Sequence, residues 1–89
     1  MLQAHFFISG VVQGVGFRYF IRRNARKSQL TGWVRNVADG RVEGVLQGDK
    51  KLITKLLMQC ERGPFLAEVK AVEVTWEKME EPQQQFYFR

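Results

Sequence analysis

Leu30-Thr31-Gly32-Trp33-Val34-Arg35-Asn36-Val37-Ala38-Asp39-Gly40-Arg41-Val42-Glu43-Gly44-Val45-Leu46-Gln47 reads as two strands joined by a tight turn. Asp39-Gly40 is the turn signal, because both residues tolerate the positive φ that a short hairpin needs. The strands cover 30–36 and 41–47. Val42, Gly44 and Leu46 share one face of the second strand. Glycine is weak inside a strand, so Gly44 marks a bulge or a close backbone approach.

A helix flanks this hairpin on each side. Before it, Phe17, Phe20, Ile21, Asn24, Ala25 and Ser28 recur at i, i+3, i+4 spacing, with Arg22, Arg23, Arg26 and Lys27 opposite. After it, Gly48 ends the strand and Asp49 can N-cap a second helix. Leu52, Ile53, Leu56, Leu57 and Cys60 form that helix's apolar stripe, and Gly63-Pro64 ends it. The outermost segments alternate. Residues 2–9 place Leu2, Ala4, Phe6 and Ile8 on one side, and 67–77 place Val72, Val74 and Trp76 on one side. Glu80 to Gln85 is a polar connection, and Phe86-Tyr87-Phe88 is a short last strand.

Two βαβ units interrupted by a hairpin predict an α+β fold. The expected architecture is a ferredoxin-like βαββαβ sandwich: an antiparallel sheet, two helices on one face, and a short fifth strand at the C-terminus. Right-handed crossovers put both helices on that face. Residues 1–89 are read as a single domain. Trp33, Trp76 and the phenylalanines are assigned mainly to the core.

The chain has 89 residues, 45% of them hydrophobic, and a single cysteine. No internal disulfide can form, which fits a reducing compartment. Cys60, among Leu56, Leu57 and Met58, reads as a small buried hydrophobe. No signal segment is evident, and no run reaches the roughly 18 apolar residues of a membrane span. A cytoplasmic location is expected. The net charge of +5 favours anionic partners in general.

Val12-Gln13-Gly14-Val15-Gly16-Phe17-Arg18 carries the chemistry. A helix begins at its end, and no Ser, Thr, Asp or Asn is near to cap the unpaired first-turn N–H groups. Gly14 and Gly16 allow a sharp turn and a close ligand. Such a loop is a ready anion site. Arg18 adds a planar guanidinium that can pair with two phosphate oxygens. The residues alone also allow a glycine-rich turn with Arg18 on the surface. A Walker loop is excluded because Gly-Lys-Ser/Thr is absent, and a dinucleotide fingerprint because Tyr19 stands where a third glycine belongs.

Gly10-Val-Val12-Gln13-Gly14-Val15-Gly16-Phe17-Arg18-x-Phe20 and Gly32-Trp33-Val34-Arg35-Asn36-x-x-Asp39-Gly40-x-Val42-Glu43 closely resemble the two signatures of the acylphosphatase family. Gly63-Pro64-x-x-Ala67-x-Val69 resembles that family's segment after the second helix. The resemblance runs through nearly the whole chain. It implies an enzyme, an acylphosphate phosphohydrolase (EC 3.6.1.7), that cleaves a carboxyl–phosphate anhydride to a carboxylate and inorganic phosphate without metal or cofactor. It implies that Arg18 and the backbone amides of Gln13, Gly14, Val15, Gly16 and Phe17 bind the phosphate. It implies that Asn36 orients the attacking water. One departure is Ser28-Gln29 before Leu30, where relatives often carry Leu-Gly. Gln29 makes a less relaxed helix exit than glycine would.

Other hydrolytic routes find little support. His5 is the sole histidine; it reads as an ordinary surface or edge residue, and nothing in the sequence suggests proximity to Cys60 or Ser9. No metal site is expected, since Glu77, Glu80 and Glu81 read as solvated surface. Arg35 should face away from Asn36 on its strand, so it stays outside the site. Alone, Asn36 before a turn suggests a local backbone contact. Expected partners are a small acyl phosphate, with inorganic phosphate or sulfate as product or mimic, and no obligate nucleic acid or membrane. The expected state is a monomer and a free-standing enzyme rather than a domain detached from a larger chain. The competing reading is a non-catalytic anion- or RNA-binding ferredoxin-like module, which aromatic side chains on the open sheet face would favour.

Overall fold

A computed structural model describes residues 1–79 and 81–89. The elements are β1 (Leu2–Val11), α1 (Phe17–Lys27), β2 (Thr31–Asn36), β3 (Val42–Gln47), α2 (Lys50–Arg62), β4 (Glu68–Lys78) and β5 (Phe86–Phe88). The strands form one sheet in the order β4-β1-β3-β2-β5. Strands β1 to β4 pair antiparallel, giving the expected ferredoxin-like α+β arrangement. The fifth strand departs from expectation. It joins β2 in parallel, with Gly32↔Phe86, Trp33↔Tyr87 and Val34↔Phe88 in register, so the sheet is mixed.

The core lies between one sheet face and both helices. Ala4, Phe6, Ile8, Val34, Val42, Leu46 and Phe86 meet Phe17, Ile21, Ala25, Ile53, Leu56, Leu57 and Cys60. Strand alternation delivers the first group and helical spacing the second. Removing this apolar surface from water, at roughly 25 cal/mol per Å², is the main force holding the helices down. Leu52 departs from its expected place and is exposed. On α2 it sits at the flank of a stripe whose centre is Ile53, Leu56 and Cys60.

Gly44 resolves as a close approach. An added Cβ there would sit 2.6 Å from the Trp33 carbonyl and 2.8 Å from Phe6 Cε1, because the Phe6 ring lies over it. The bulge is elsewhere, between Ser9 and Gly10, where β1 shifts register against β4.

Helix exits follow local chemistry. At the end of α1, Leu30 N–H donates to the Ala25 carbonyl at 2.8 Å and Gln29 N–H to that of Arg26 at 3.1 Å. This is a Schellman closure, and it puts Gln29 at φ +59, the left-handed position that glycine favours. Asp49 caps α2 as expected, accepting from Lys51 N–H at 2.8 Å.

The aromatic assignment is only partly borne out. Phe6, Phe17 and Phe86 are buried, but Phe65 is 90% exposed and Trp33 lies on the open face with His5, Phe7 and Tyr87. Trp76, opposite Ala4, is on the helix face and half-buried. The polar connection is anchored through the buried Gln47, which donates to the Glu81 carbonyl at 3.0 Å and accepts from Gln83 N–H at 2.8 Å. Glu80, assigned to the same connection, lies outside the described residues.

Candidate active site

The loop between β1 and α1 turns at Gly14 (φ +74) and Gly16 (φ +79). A Cβ at either position would meet nothing within 4 Å, so backbone conformation rather than crowding selects glycine. Gly16 is the N-cap of α1 and supplies no side-chain cap. Among the described residues, no backbone N–H from Gln13 to Tyr19 donates to a protein acceptor. The first donation is Phe20 N–H to the Gly16 carbonyl at 3.0 Å. Unpaired N–H groups at the positive end of a helix dipole favour an anion.

Arg18 is the second residue of α1 and half-buried. Among the described residues it forms no ion pair with a carboxylate. Its Cζ lies 5.2 Å from the centre of the Phe88 ring.

Asn36 is the last residue of β2 and exposed. Its side chain makes no hydrogen bond to a protein group among the described residues, so the local contact that the residue alone suggests is not taken. Both β1 and β2 run antiparallel to β3, and Ile8 and Asn36 flank the same residue, Val42. The end of β1 and the end of β2 therefore share one edge of the sandwich.

A link that sequence reasoning missed fastens these two ends. The Gln13 side-chain amide donates to the Val37 carbonyl at 2.7 Å and to the Arg41 carbonyl at 2.9 Å. The sequence reading used only the backbone of Gln13. Its signal was a long amide side chain beside a hairpin whose turn carbonyls, each with two lone pairs, can accept a second donor. The hairpin itself is closed by Val37 N–H to Arg41 carbonyl at 2.8 Å and by Asp39, which accepts from Arg41 N–H at 3.0 Å. That backbone hydrogen bond, with the Arg41 guanidinium, holds the Asp39 carboxyl below its usual range.

The other titratable groups lie elsewhere. Arg35 faces away from Asn36 as expected, donating to Glu43 at 2.7 Å on the open face. His5 is not an edge residue. It stands on β1, between β4 and β3, with Nε2 2.6 Å from Glu43 Oε2 and Nδ1 3.5 Å from Glu77. Burial raises the Glu43 carboxyl, but hydrogen bonds from His5 and Arg35 outweigh it and the net shift is downward. Cys60 is fully buried, and burial pushes its thiol up to about 12. A concavity of about 880 Å³ opens on the same face as His5 and Trp33, and neither the 13–18 loop nor Asn36 lines it. Among the described residues, no three His, Cys, Asp or Glu side chains come together as a metal site.

An uncapped, glycine-turned loop feeding a helix on a βαββαβ sandwich defines a small α+β domain with a helix start of the kind that suits an oxyanion. Comparison with known proteins gives that class its family. A family profile described as Acylphosphatase matches residues 4–88. An acylphosphatase of Moorella thermoacetica is 49% identical over 100% of this chain and 92% of its own. One of Chloroflexus aurantiacus is 51% identical over 88% of this chain and 85% of its own. The crystal structure of acylphosphatase from Bacillus subtilis superposes with a TM-score of 0.95 at 36% identity, covering 100% of this chain and 99% of that one. The chain belongs to the acylphosphatase family. Its activity is hydrolysis of acyl phosphates to a carboxylate and inorganic phosphate.

Proposed function

We propose that Arg18 and the amides of Gln13 to Phe17 hold the phosphoryl group while Asn36 holds the attacking water. The observation that carries this reading is the run of unpaired N–H groups ahead of Arg18, fastened by Gln13 to the turn after Asn36. An acyl phosphate is already activated, since its leaving group is a stable carboxylate. Positioning and charge are then enough. Fixing water beside the phosphorus supplies an effective molarity of about 10⁵–10⁸ M at best. The loop amides and guanidinium stabilise the charge on the equatorial oxygens of the transition state. Asn36 offers an acceptor and donors but no base. A phosphate oxygen of the substrate therefore takes the water's proton. No metal or cofactor enters this scheme, and the enzyme acts as a cytoplasmic monomer, with inorganic phosphate or sulfate occupying the same loop.

The test is hydrolysis of benzoyl phosphate in EDTA. Arg18→Ala and Asn36→Ala should each fold and lose activity by about 10²-fold or more. Arg18→Lys should also be poor, since a point charge cannot make the planar two-point grip. Full activity in Arg18→Ala, or its loss in EDTA for the unaltered chain, defeats the reading.

The RNA-binding reading has one observation in its favour: Phe7, Trp33 and Tyr87 do stand on the open face. Against it, the chain's own guanidiniums already cover two of these rings. Arg41 lies 4.2 Å from the Phe7 centroid and Arg89 4.4 Å from that of Trp33. Glu43, Glu73 and Glu77 share the face and would repel a phosphate backbone.

A further inference from the structure

We propose that Phe88 is a positioning residue for Arg18: its ring orients the guanidinium for phosphate without neutralising it. The inference rests on the assignment of Arg18 as the phosphate clamp. The guanidinium carbons of Arg18 and Arg22 lie 5.2 and 4.0 Å from the centre of the Phe88 ring. These arginines are one helical turn apart on α1, so one ring serves both. Neither pairs with a carboxylate among the described residues.

The strand that carries the ring is held from two sides. Phe88 pairs with Val34, and Arg89 N–H donates to the Val34 carbonyl at 2.9 Å, two residues before Asn36. The Arg26 guanidinium donates to the Phe86 carbonyl at 2.9 Å, clasping α1 to β5. One strand thus joins the helix that carries Arg18 to the strand that carries Asn36. Burial does not account for the aromatic residue, because Phe88 remains 41% exposed.

The choice of a ring has a chemical reason. A free arginine must freeze several torsions when it grips phosphate, and prior positioning lowers that cost. A carboxylate could position it, but would occupy the N–H groups and cancel the charge the substrate needs. An aromatic face attracts the flat, weakly hydrated guanidinium and leaves its N–H edge free.

The test compares Phe88→Leu, Phe88→Met and Phe88→Tyr in the full chain. The readouts are Kd for inorganic phosphate, kcat/KM with benzoyl phosphate, and Tm. Leu and Met should weaken phosphate binding and lower kcat/KM by roughly two- to fivefold, the range of a part-exposed cation–π contact. Tyr, which keeps the ring, should retain wild-type values. Tyr87→Leu, on the opposite face of the same strand, should leave both unchanged. The proposal is overturned if Leu and Met match wild type, if Tyr falls as far as they do, or if Tyr87→Leu falls equally. Arg18→Ala separates the two levels. Its full activity would remove the clamp itself, whereas an inactive Arg18→Ala beside unaffected Leu and Met variants defeats only the role of Phe88.

Discussion

The side-chain amide of Gln13 reaches across to the carbonyl of Val37 at 2.7 Å, tying the amide-lined loop to the turn just past Asn36. The loop proposed to hold phosphate and the strand end proposed to hold water come from different ends of the chain's first half, and this bond joins them. Gln13→Ala should keep the fold and lower kcat/KM for benzoyl phosphate by about 10- to 100-fold, because small misplacements of reacting groups are costly. Steady-state kinetics beside a Tm measurement checks this. A variant with unchanged kinetics would show that the loop keeps its place unaided.

Gln29 is the one non-glycine residue at positive φ among the described residues, at the Schellman exit of α1. An L-residue pays steric strain there of about 1–2 kcal/mol, of which glycine's extra unfolded-state freedom returns about 0.5–1. Gln29→Gly should therefore stabilise by about 0.5–1 kcal/mol and raise Tm by roughly 2–8 °C. Activity should not change. Thermal unfolding followed by circular dichroism reads the effect.

Gly44→Ala should do the opposite. The added methyl has the Phe6 ring on one side and the Trp33 carbonyl, 2.6 Å away, on the other. Overpacking of this kind costs about 1–3 kcal/mol. Specific activity at a temperature where the variant remains folded should stay near wild type, since Gly44 lies away from the loop. Denaturant midpoints and kinetics on the same sample separate the two quantities.

Glu43 gives a pH signature. Its carboxyl is depressed in the folded state, so the unfolded chain binds more protons at acid pH. Its contribution is fully present above the unfolded carboxyl value, and it is lost as pH falls through the lower folded value. Stability should decline on acidification, and Glu43→Gln should flatten that decline while lowering stability at neutral pH. Tm measured from pH 7 to pH 3 provides the comparison. Parallel curves for the two proteins would remove Glu43 as a source of the acid limb.

Most of the four-stranded frame was legible because its signals are local. Alternation from Leu2 to Ile8, helical spacing from Phe17 to Ala25, the Asp39-Gly40 turn and the Asp49 cap each act over a few residues. What was missed depends on distant partners. Three residues such as Phe86-Tyr87-Phe88 encode neither which strand they join nor in which direction, so the parallel pairing with β2 had no sequence signal. Trp33 was legible after all, since Val34 and Asn36 point to one side and Trp33 must share the other with Arg35. The turn of the loop and its uncapped helix start were readable from glycine spacing and the absence of a capping residue. The second job of Gln13 and the ring above Arg18 were not, because both are contacts between segments far apart in sequence.

If Phe88 positions Arg18 as proposed, the placement of β5 also bears on when activity is complete. Phe88 is made long after Arg18, and β1 pairs with β4 across most of the chain. Loop closures of this length slow folding. During synthesis, the α1 segment and the β2–β3 hairpin emerge well before the strand that joins them. Refolding should therefore recover full kcat/KM only as the last strand docks.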